Sequence, residues 1–192
     1  MVSEAIFPDF SFAFQPIVNI ATGSIISFEA LVRGYRNDPA SQVFQQVEQV
    51  NLYQFDELLR LKAISLAAKL GLGCHLNLNL FSKALLASQT AISSTLAMAD
   101  SVGISRESIT IEVTESEIID DIDEFAESIN QYRSAGIGIA IDDFGAGYSG
   151  LNLLADFQPD SIKIDMSLIR CIDSHGPRQA IVRGIIRTCR DL

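Results

Sequence analysis

Short stretches in which apolar and polar residues alternate are separated along this chain by longer stretches with a helical period. Alternation is typical of strands, and recurrence every three to four residues is typical of helices. FAFQPIVNI, the turn ATGS and IISFEALVR together predict a β-hairpin that bends at Thr22 and Gly23. Further strands are predicted at CHLNLNL, ITIEVTE, GIAIDDFG and SIKIDM. Helices are predicted over about 40–71, 82–98, 120–135, 149–155 and 178–190.

The regular succession of strand and helix indicates an α/β protein built on a parallel sheet. Such a sheet closes into a barrel or stays open in a doubly wound fold, and the pattern by itself is compatible with both. Because no linker or internal repeat divides the sequence, we expect residues 1–192 to form a single domain.

The polar side chains of each predicted strand share one face. In ITIEVTE, for example, Ile111 and Val113 lie on one face and Glu112 lies on the other. The apolar faces require a covering layer of helices, so we expect the polar faces to meet in the mouth of a barrel. The side chains expected there are Glu29, Arg33, Asn77, Glu112, Asp142, Lys163 and Asp165. Since unpaired buried carboxylates are unstable and their oxygens suit hard cations, this set predicts binding of Mg²⁺ or Mn²⁺.

Two adjacent carboxylates, Asp142 and Asp143, stand in the segment IAIDDFGAGYSG. Neighbouring strand residues normally point to opposite faces. We therefore expect the pair to serve one site only if the strand ends there and the chain turns, as the following Gly145 and Gly147 suggest. The alternative is that the pair is a solvated turn without a ligand.

Composition narrows the range of partners. Lys and Arg number 14 against 24 Asp and Glu, so the net charge is −10, which argues against a broad DNA- or RNA-binding surface. No apolar run approaches the roughly 20 residues that cross a bilayer, and the start MVSEAIFPDF lacks signal-peptide features. Three widely spaced cysteines predict reduced thiols. These features lead us to expect a cytoplasmic protein.

Several of these segments, taken together, resemble the EAL-domain family of cyclic di-GMP phosphodiesterases. They are FQPIV, FEALVRG with Glu29-Ala30-Leu31, LNLNL, IEVTES, IDDFGAGYSGL and IKID, in the family's order from about residue 12 onward. The resemblance implies a modified (β/α)8 TIM-like barrel whose first strand is antiparallel.

The resemblance also implies roles for individual residues. It implies that a first Mg²⁺ or Mn²⁺ is bound by Glu29, Asn77, Glu112 and Asp142, and a second by Asp142 and Asp143. The residues implied as catalytic are Lys163, Asp143 and Glu115, of which Glu115 holds the loop after DDFG. The residues implied as substrate-binding are Gln15, Arg33 and Asp165.

The activity implied is hydrolysis of cyclic di-GMP to linear pGpG in bacterial second-messenger signalling. A homodimer is expected, with an upstream sensor domain or protein partner as a further option. The EALVRG form is similar to EAL domains found with blue-light flavin sensors. The family continues with strands carrying AEGVE and QGY, which this sequence does not contain, so we expect a barrel that lacks its last two strands. The alternative function is a catalytically inactive cyclic di-GMP receptor or protein-interaction module.

Overall fold

The computed structural model describes residues 7–87, 91–115, 122–147, 151, 154–155 and 158–192. The strands are β1 (Phe10–Asn19), β2 (Ser24–Gly34), β3 (His75–Asn79), β4 (Ile109–Thr114), β5 (Gly138–Phe144) and β6 (Ser161–Ile164). The helices with described bounds are α1 (Ala40–Phe44), α2 (Leu52–Leu70), α3 (Ser82–Ala87), α4 (Ala91–Val102), α5 (Ile122–Ser134), α6 (Met166–Ile169) and α7 (Gly176–Asp191). The predicted succession of strand and helix is confirmed.

The described residues form one six-stranded sheet, with its strands in sequence order from β1 to β6. β1 runs antiparallel to β2, and each later pair of neighbours is parallel. The predicted hairpin bend is confirmed, because Gly23 has a φ of +70° and its amide donates to the Asn19 carbonyl at 2.7 Å. A positive φ of this size suits glycine better than a residue with a Cβ atom.

The helix predicted over 40–71 is wrong at its start, where the structure has α1, a 3₁₀ turn at Gln49–Asn51 and then α2. The break lets the rings of Phe44 and Phe55 meet edge to face, with their centroids 5.7 Å apart. Packing of such aromatic rings outweighs the helical period of the sequence. The predicted end of α2 is confirmed, since Gly71 closes it in the left-handed conformation.

Other predicted bounds shift by small amounts or fall outside the described residues. The segment predicted as a helix over 82–98 contains α3 and α4, and α4 continues to Val102. The last helix begins at Gly176 because the side chain of His175 accepts a hydrogen bond from the amide of Arg178. Most of the helix predicted over 149–155 lies outside the described residues.

The apolar faces of the strands form the core beneath the helices, as predicted. Ile109, Ile111, Val113, Ile139 and Ile141 are fully buried. They pack in one cluster with residues of the helix layer, including Ile64 and Ala67 of α2 and Phe125 and Ile129 of α5. Each such side chain contributes roughly 1.5–3 kcal/mol when it leaves water.

The opposite, polar face is concave. The Nζ atom of Lys163 on β6 lies 3.0 Å from Oε2 of Glu29 on β2. In a flat sheet these strands would be about 19 Å apart, at about 4.8 Å per strand. The sheet therefore curls into a barrel-like trough, with β1 and β6 at its edges within the described part of the chain. Among the described helices, none has the length and apolar character to cross a membrane.

Candidate functional site

Three carboxylates meet on the concave face of the sheet. Oxygen atoms of Glu29 on β2, Glu112 on β4 and Asp142 on β5 all lie within 4.8 Å of one another. The strand pairing brings them together, because Glu29 lies beside Asn77 in the β2–β3 register and Asn79 lies beside Glu112 in the β3–β4 register. The predicted convergence of polar faces thus holds for these residues.

Lys163 lies at the centre of this group. Its Nζ atom is 3.0 Å from Glu29, 2.8 Å from Glu112 and 2.9 Å from Asp142. Burial alone lowers the pKa of the Lys163 ammonium, but the carboxylates of Glu112 and Asp142 outweigh burial and raise that pKa above its ordinary value. Lys163 therefore stays protonated and offsets part of the negative charge.

Glu112 is the most deeply buried of the carboxylates, with no exposed side-chain surface. Burial raises the pKa of its carboxyl from 4.5 to about 7, and the ammonium of Lys163 only partly opposes this rise. Nδ2 of Asn77 donates to Oε1 of Glu112 at 2.7 Å. When the carboxylates are all ionised they exceed the one ammonium by two negative charges. This excess, together with an all-oxygen donor set, fits a divalent hard cation.

Ser27, which was not among the predicted site residues, is in contact with the side chain of Asn77. The hydroxyl of Ser27 is hydrogen-bonded to Oδ1 of Asn77 and lies 3.1 Å from the carbonyl oxygen of His75. Ser27 precedes Glu29 by two residues on β2, so the same alternation that selected Glu29 places Ser27 on the polar face.

Asp142 and Asp143 lie at an irregularity within β5. The expectation that the strand ends at this pair is wrong, because β5 continues to Phe144. Its register with β6 instead shifts between Ile141 and Phe144, as at a β-bulge. Asp143 has a φ of +54°, and its amide donates to Oδ1 of Asp142 at 2.9 Å. The bulge, and not a strand end, therefore changes the direction of the Asp143 side chain.

Asp143 is exposed next to the cluster. Burial raises the pKa of its carboxyl, and the neighbouring charges of Asp142 and Asp165 raise it further. Each neighbouring negative charge makes ionisation of Asp143 less favourable, and a cation beside these acids would oppose that effect.

Glu115 holds the loop that follows the bulge. Its carboxylate is buried and accepts hydrogen bonds from the amides of Gly145 and Gly147, at 2.8 and 3.4 Å. A Cβ atom on Gly147 would lie 2.9 Å from Oε1 of Glu115, so the backbone needs a glycine to approach the acid this closely.

Two of the remaining predicted site residues lie on β1 and β2. Gln15 is exposed on β1 directly opposite Glu29. Arg33 lies further along β2, and its guanidinium donates to the carbonyl of Val32 at 2.8 Å.

Asp165 does not point from a strand as predicted, since β6 ends at Ile164. It caps α6 by accepting from the amide of Ser167 at 2.9 Å. Hydrogen bonds from the side chain and from the amide of Ser167 lower the pKa of its carboxyl.

A cavity of about 350 Å³ adjoins the cluster. β2 and β3 are paired only as far as Glu29 and Asn77, so the two strands diverge beyond that point. Residues from both diverging ends and from α2 line the cavity, and its walls are mainly apolar, with Phe12, Phe44, Leu59, Leu80 and Phe81. An organic group can therefore lie beside the carboxylates.

Comparison with known proteins matches residues 2–192 to the EAL domain. The chain belongs to the EAL domain family. It is 41% identical over 182 residues to the blue light- and temperature-regulated antirepressor BluF of Escherichia coli K12, with 94% of this chain and 45% of BluF covered. It is 29% identical over 189 residues to PdeG, a probable cyclic di-GMP phosphodiesterase of the same organism, with 93% of this chain and 37% of PdeG covered.

The fold is also shared with solved EAL structures. BlrP1 of Klebsiella pneumoniae, solved in a complex with manganese and cyclic di-GMP, superposes with a TM-score of 0.90 at 37% identity, covering 96% of this chain and 50% of that one. These matches confirm the α/β barrel-like fold with its antiparallel first strand and the predicted EAL resemblance. The chain spans less than half the length of the two curated relatives.

Proposed function

We propose that this EAL domain hydrolyses cyclic di-GMP to linear pGpG in a divalent-cation-dependent reaction. The observation that carries the proposal is the meeting of Glu29, Glu112 and Asp142 around the ammonium of Lys163. A concave site rich in carboxylates repels a phosphodiester unless cations reverse the local charge. The manganese and cyclic di-GMP bound by BlrP1 support this assignment.

The residues suited to a first Mg²⁺ or Mn²⁺ are Glu29, Asn77, Glu112 and Asp142, and those suited to a second are Asp142 and Asp143. When bound, these ions supply positive charge that activates water and stabilises charge developing on the phosphate. The convergence of the ionised carboxylates of Glu29, Glu112 and Asp142 supports the first of these sites, since it leaves a negative excess that Lys163 does not cancel.

The chain's own side chains bind and orient the substrate around this centre. We assign to Lys163 the placement of a positive charge beside the reacting phosphate. We assign to Glu115 the anchoring of the loop after Asp143, which its bonds to two glycine amides support. The guanidinium of Arg33 has the fork of donors that pairs with a phosphate. Gln15 and Asp165 complete the proposed substrate contacts.

The test is to incubate the chain with cyclic di-GMP and Mn²⁺ and to follow pGpG by chromatography. We expect product with the unaltered chain and a fall of two or more orders of magnitude in Asp143→Asn, because removal of a group that positions the reacting centre has effects of that size. Glu127→Gln, which alters an exposed acid on α5, is the matched control and should keep full activity.

A second candidate is a cyclic di-GMP receptor or protein-interaction module that does not cleave the dinucleotide. The observation that favours it is the 41% identity to BluF, whose name describes an antirepressor. The two candidates separate in one experiment, because the receptor binds cyclic di-GMP in the presence of Mn²⁺ without producing pGpG. Absence of both binding and cleavage would contradict the hydrolase and the receptor, and would leave the protein-interaction module.

The proposal includes a homodimer and a location in the cytoplasm, with a sensor domain or protein partner controlling the site. Exposed apolar side chains near the loop after β5, including Leu151, Met166 and Ile169, support a contact surface there. Leu168 of α6 packs closely on Gly145, so a contact at α6 can influence the loop. The three cysteines are free thiols, which supports a reducing compartment.

A further inference from the structure

The side chain of Asn77 lies between two hydrogen-bonding partners. Its Nδ2 donates to Glu112 at 2.7 Å, and its Oδ1 accepts from the hydroxyl of Ser27. In this arrangement the amide presents hydrogen atoms, and not its oxygen, to the carboxylate cluster. A cation at the cluster would require the opposite, because only the amide oxygen can bind it.

The environment of Ser27 permits that reversal. Ser27 is only 7% exposed, and the carbonyl oxygen of His75 lies 3.1 Å from its hydroxyl oxygen. A hydroxyl has one proton to donate and also accepts. It can donate to Asn77, as it does here, or donate to His75 and accept from Asn77. Both arrangements leave the serine hydroxyl and the adjoining amide group of Asn77 paired.

We propose that Ser27 is a positioning residue that lets the Asn77 amide turn over when a divalent cation binds. In the cation-free arrangement Ser27 holds the amide oxygen of Asn77. In the cation-bound arrangement the oxygen faces the cluster, and the amide nitrogen donates to Ser27 Oγ while Ser27 donates to His75. This inference rests on the proposed function, because it assumes that Asn77 is a cation ligand.

Loss of the hydroxyl affects the two arrangements unequally. Without it, the cation-free arrangement leaves an amide oxygen of Asn77 unpaired, while its nitrogen stays bonded to Glu112. The cation-bound arrangement leaves the amide N–H group unpaired in the interior. Buried unpaired N–H groups are rarer in proteins than carbonyl oxygens short of a partner. Ser27→Ala should therefore weaken cation binding rather than leave it unchanged.

The first test compares Mn²⁺ affinity by calorimetric titration. We expect Ser27→Ala to weaken binding about 10-fold, as the loss of a group that orients a metal ligand does in other proteins, and Ser27→Thr to restore it. Thr95→Val, which removes another fully buried hydroxyl on α4, is the matched control and should bind Mn²⁺ normally. Equal affinities in wild type and Ser27→Ala would overturn the inference and leave the proposed function standing. If wild type does not bind Mn²⁺, both are wrong.

The second test uses the unaltered chain and so does not depend on how a variant folds. Proton NMR of the Asn77 side chain, during titration with diamagnetic Mg²⁺, reports the neighbours of its amide protons. We expect their nuclear Overhauser contacts to move from Glu112 to the β protons of Ser27 as the cation binds. Saturation with Mg²⁺ while the contacts to Glu112 persist would overturn the inference.

Discussion

Glu112→Gln should stabilise the cation-free protein at neutral to alkaline pH while it weakens cation binding. Glu112 is 1% exposed, and its neighbours include the carboxylate of Glu29 as well as the ammonium of Lys163. Glutamine keeps the size of the side chain and remains neutral at every pH. The substitution thus replaces a buried charge by the analogue of its protonated form.

The magnitude follows from the raised pKa of the Glu112 carboxyl, which burial moves from 4.5 to about 7. That difference corresponds to about 3 kcal/mol, at roughly 1.4 kcal/mol per pKa unit. The folded state binds more protons than the unfolded chain between these two values. The free energy of unfolding therefore falls as the pH rises from 4.5 to about 7, and ionised Glu112 destabilises the fold above that range.

Urea unfolding in the presence of EDTA measures this effect. At about pH 8 we expect Glu112→Gln to be more stable than wild type by up to about 3 kcal/mol, and at about pH 4.5 the two should be nearly equal. Glu127→Gln, on the exposed side of α5, should leave the pH dependence of stability unchanged.

Added Mn²⁺ should narrow this difference in stability. A cation at about 100 times its Kd stabilises the wild type by about 2.7 kcal/mol, and a variant that has lost a ligand gains less. No gain of stability in Glu112→Gln at about pH 8 in EDTA would refute the view that ionised Glu112 is a destabilising buried charge.

Two further substitutions test neighbouring parts of the site. Lys163→Met should destabilise the cation-free protein at pH 8 by about 2–3 kcal/mol, which is less than the 3–5 kcal/mol of a fully buried pair because the lysine is partly exposed. In urea unfolding, Mn²⁺ should restore more stability to this variant than it adds to the wild type. Equal losses of stability with and without Mn²⁺ would count against the charge argument. Gly147→Ala should force Glu115 away from the loop, because the new Cβ would lie 2.9 Å from its Oε1. Hydrogen exchange at the Gly145 amide should then accelerate, and unchanged exchange would show that Glu115 does not hold the loop.

Alternation along the strands was sufficient to predict the central side chains of the site. Glu29, Glu112 and Asp142 were placed on one face from their neighbours alone, and the structure brings their oxygens within 4.8 Å. The prediction worked because each strand is buried on its other face, which fixes the direction of every second side chain. Lys163 followed from the same rule.

Features that depend on tertiary contacts were not predictable in this way. The break before α2 depends on a ring contact between Phe44 and Phe55, which no local pattern encodes. The bulge at Asp143 depends on the register between β5 and β6. Ser27 was overlooked because a single hydroxyl on a strand carries no charge to mark it, although its spacing from Glu29 placed it on the polar face.

Because Lys163 lies on the short strand β6, the stability of that strand and the net charge of the site depend on each other. β6 has four residues and is paired with β5 through Ser161, Ile162 and Ile164. Opening of β6 would withdraw the ammonium from all three carboxylates at once and leave them facing one another. When no cation is present, the ion pairs of Lys163 oppose this opening. A bound cation would also relieve the repulsion among the three carboxylates. Order in β6 and charge at the site are thus coupled through Lys163.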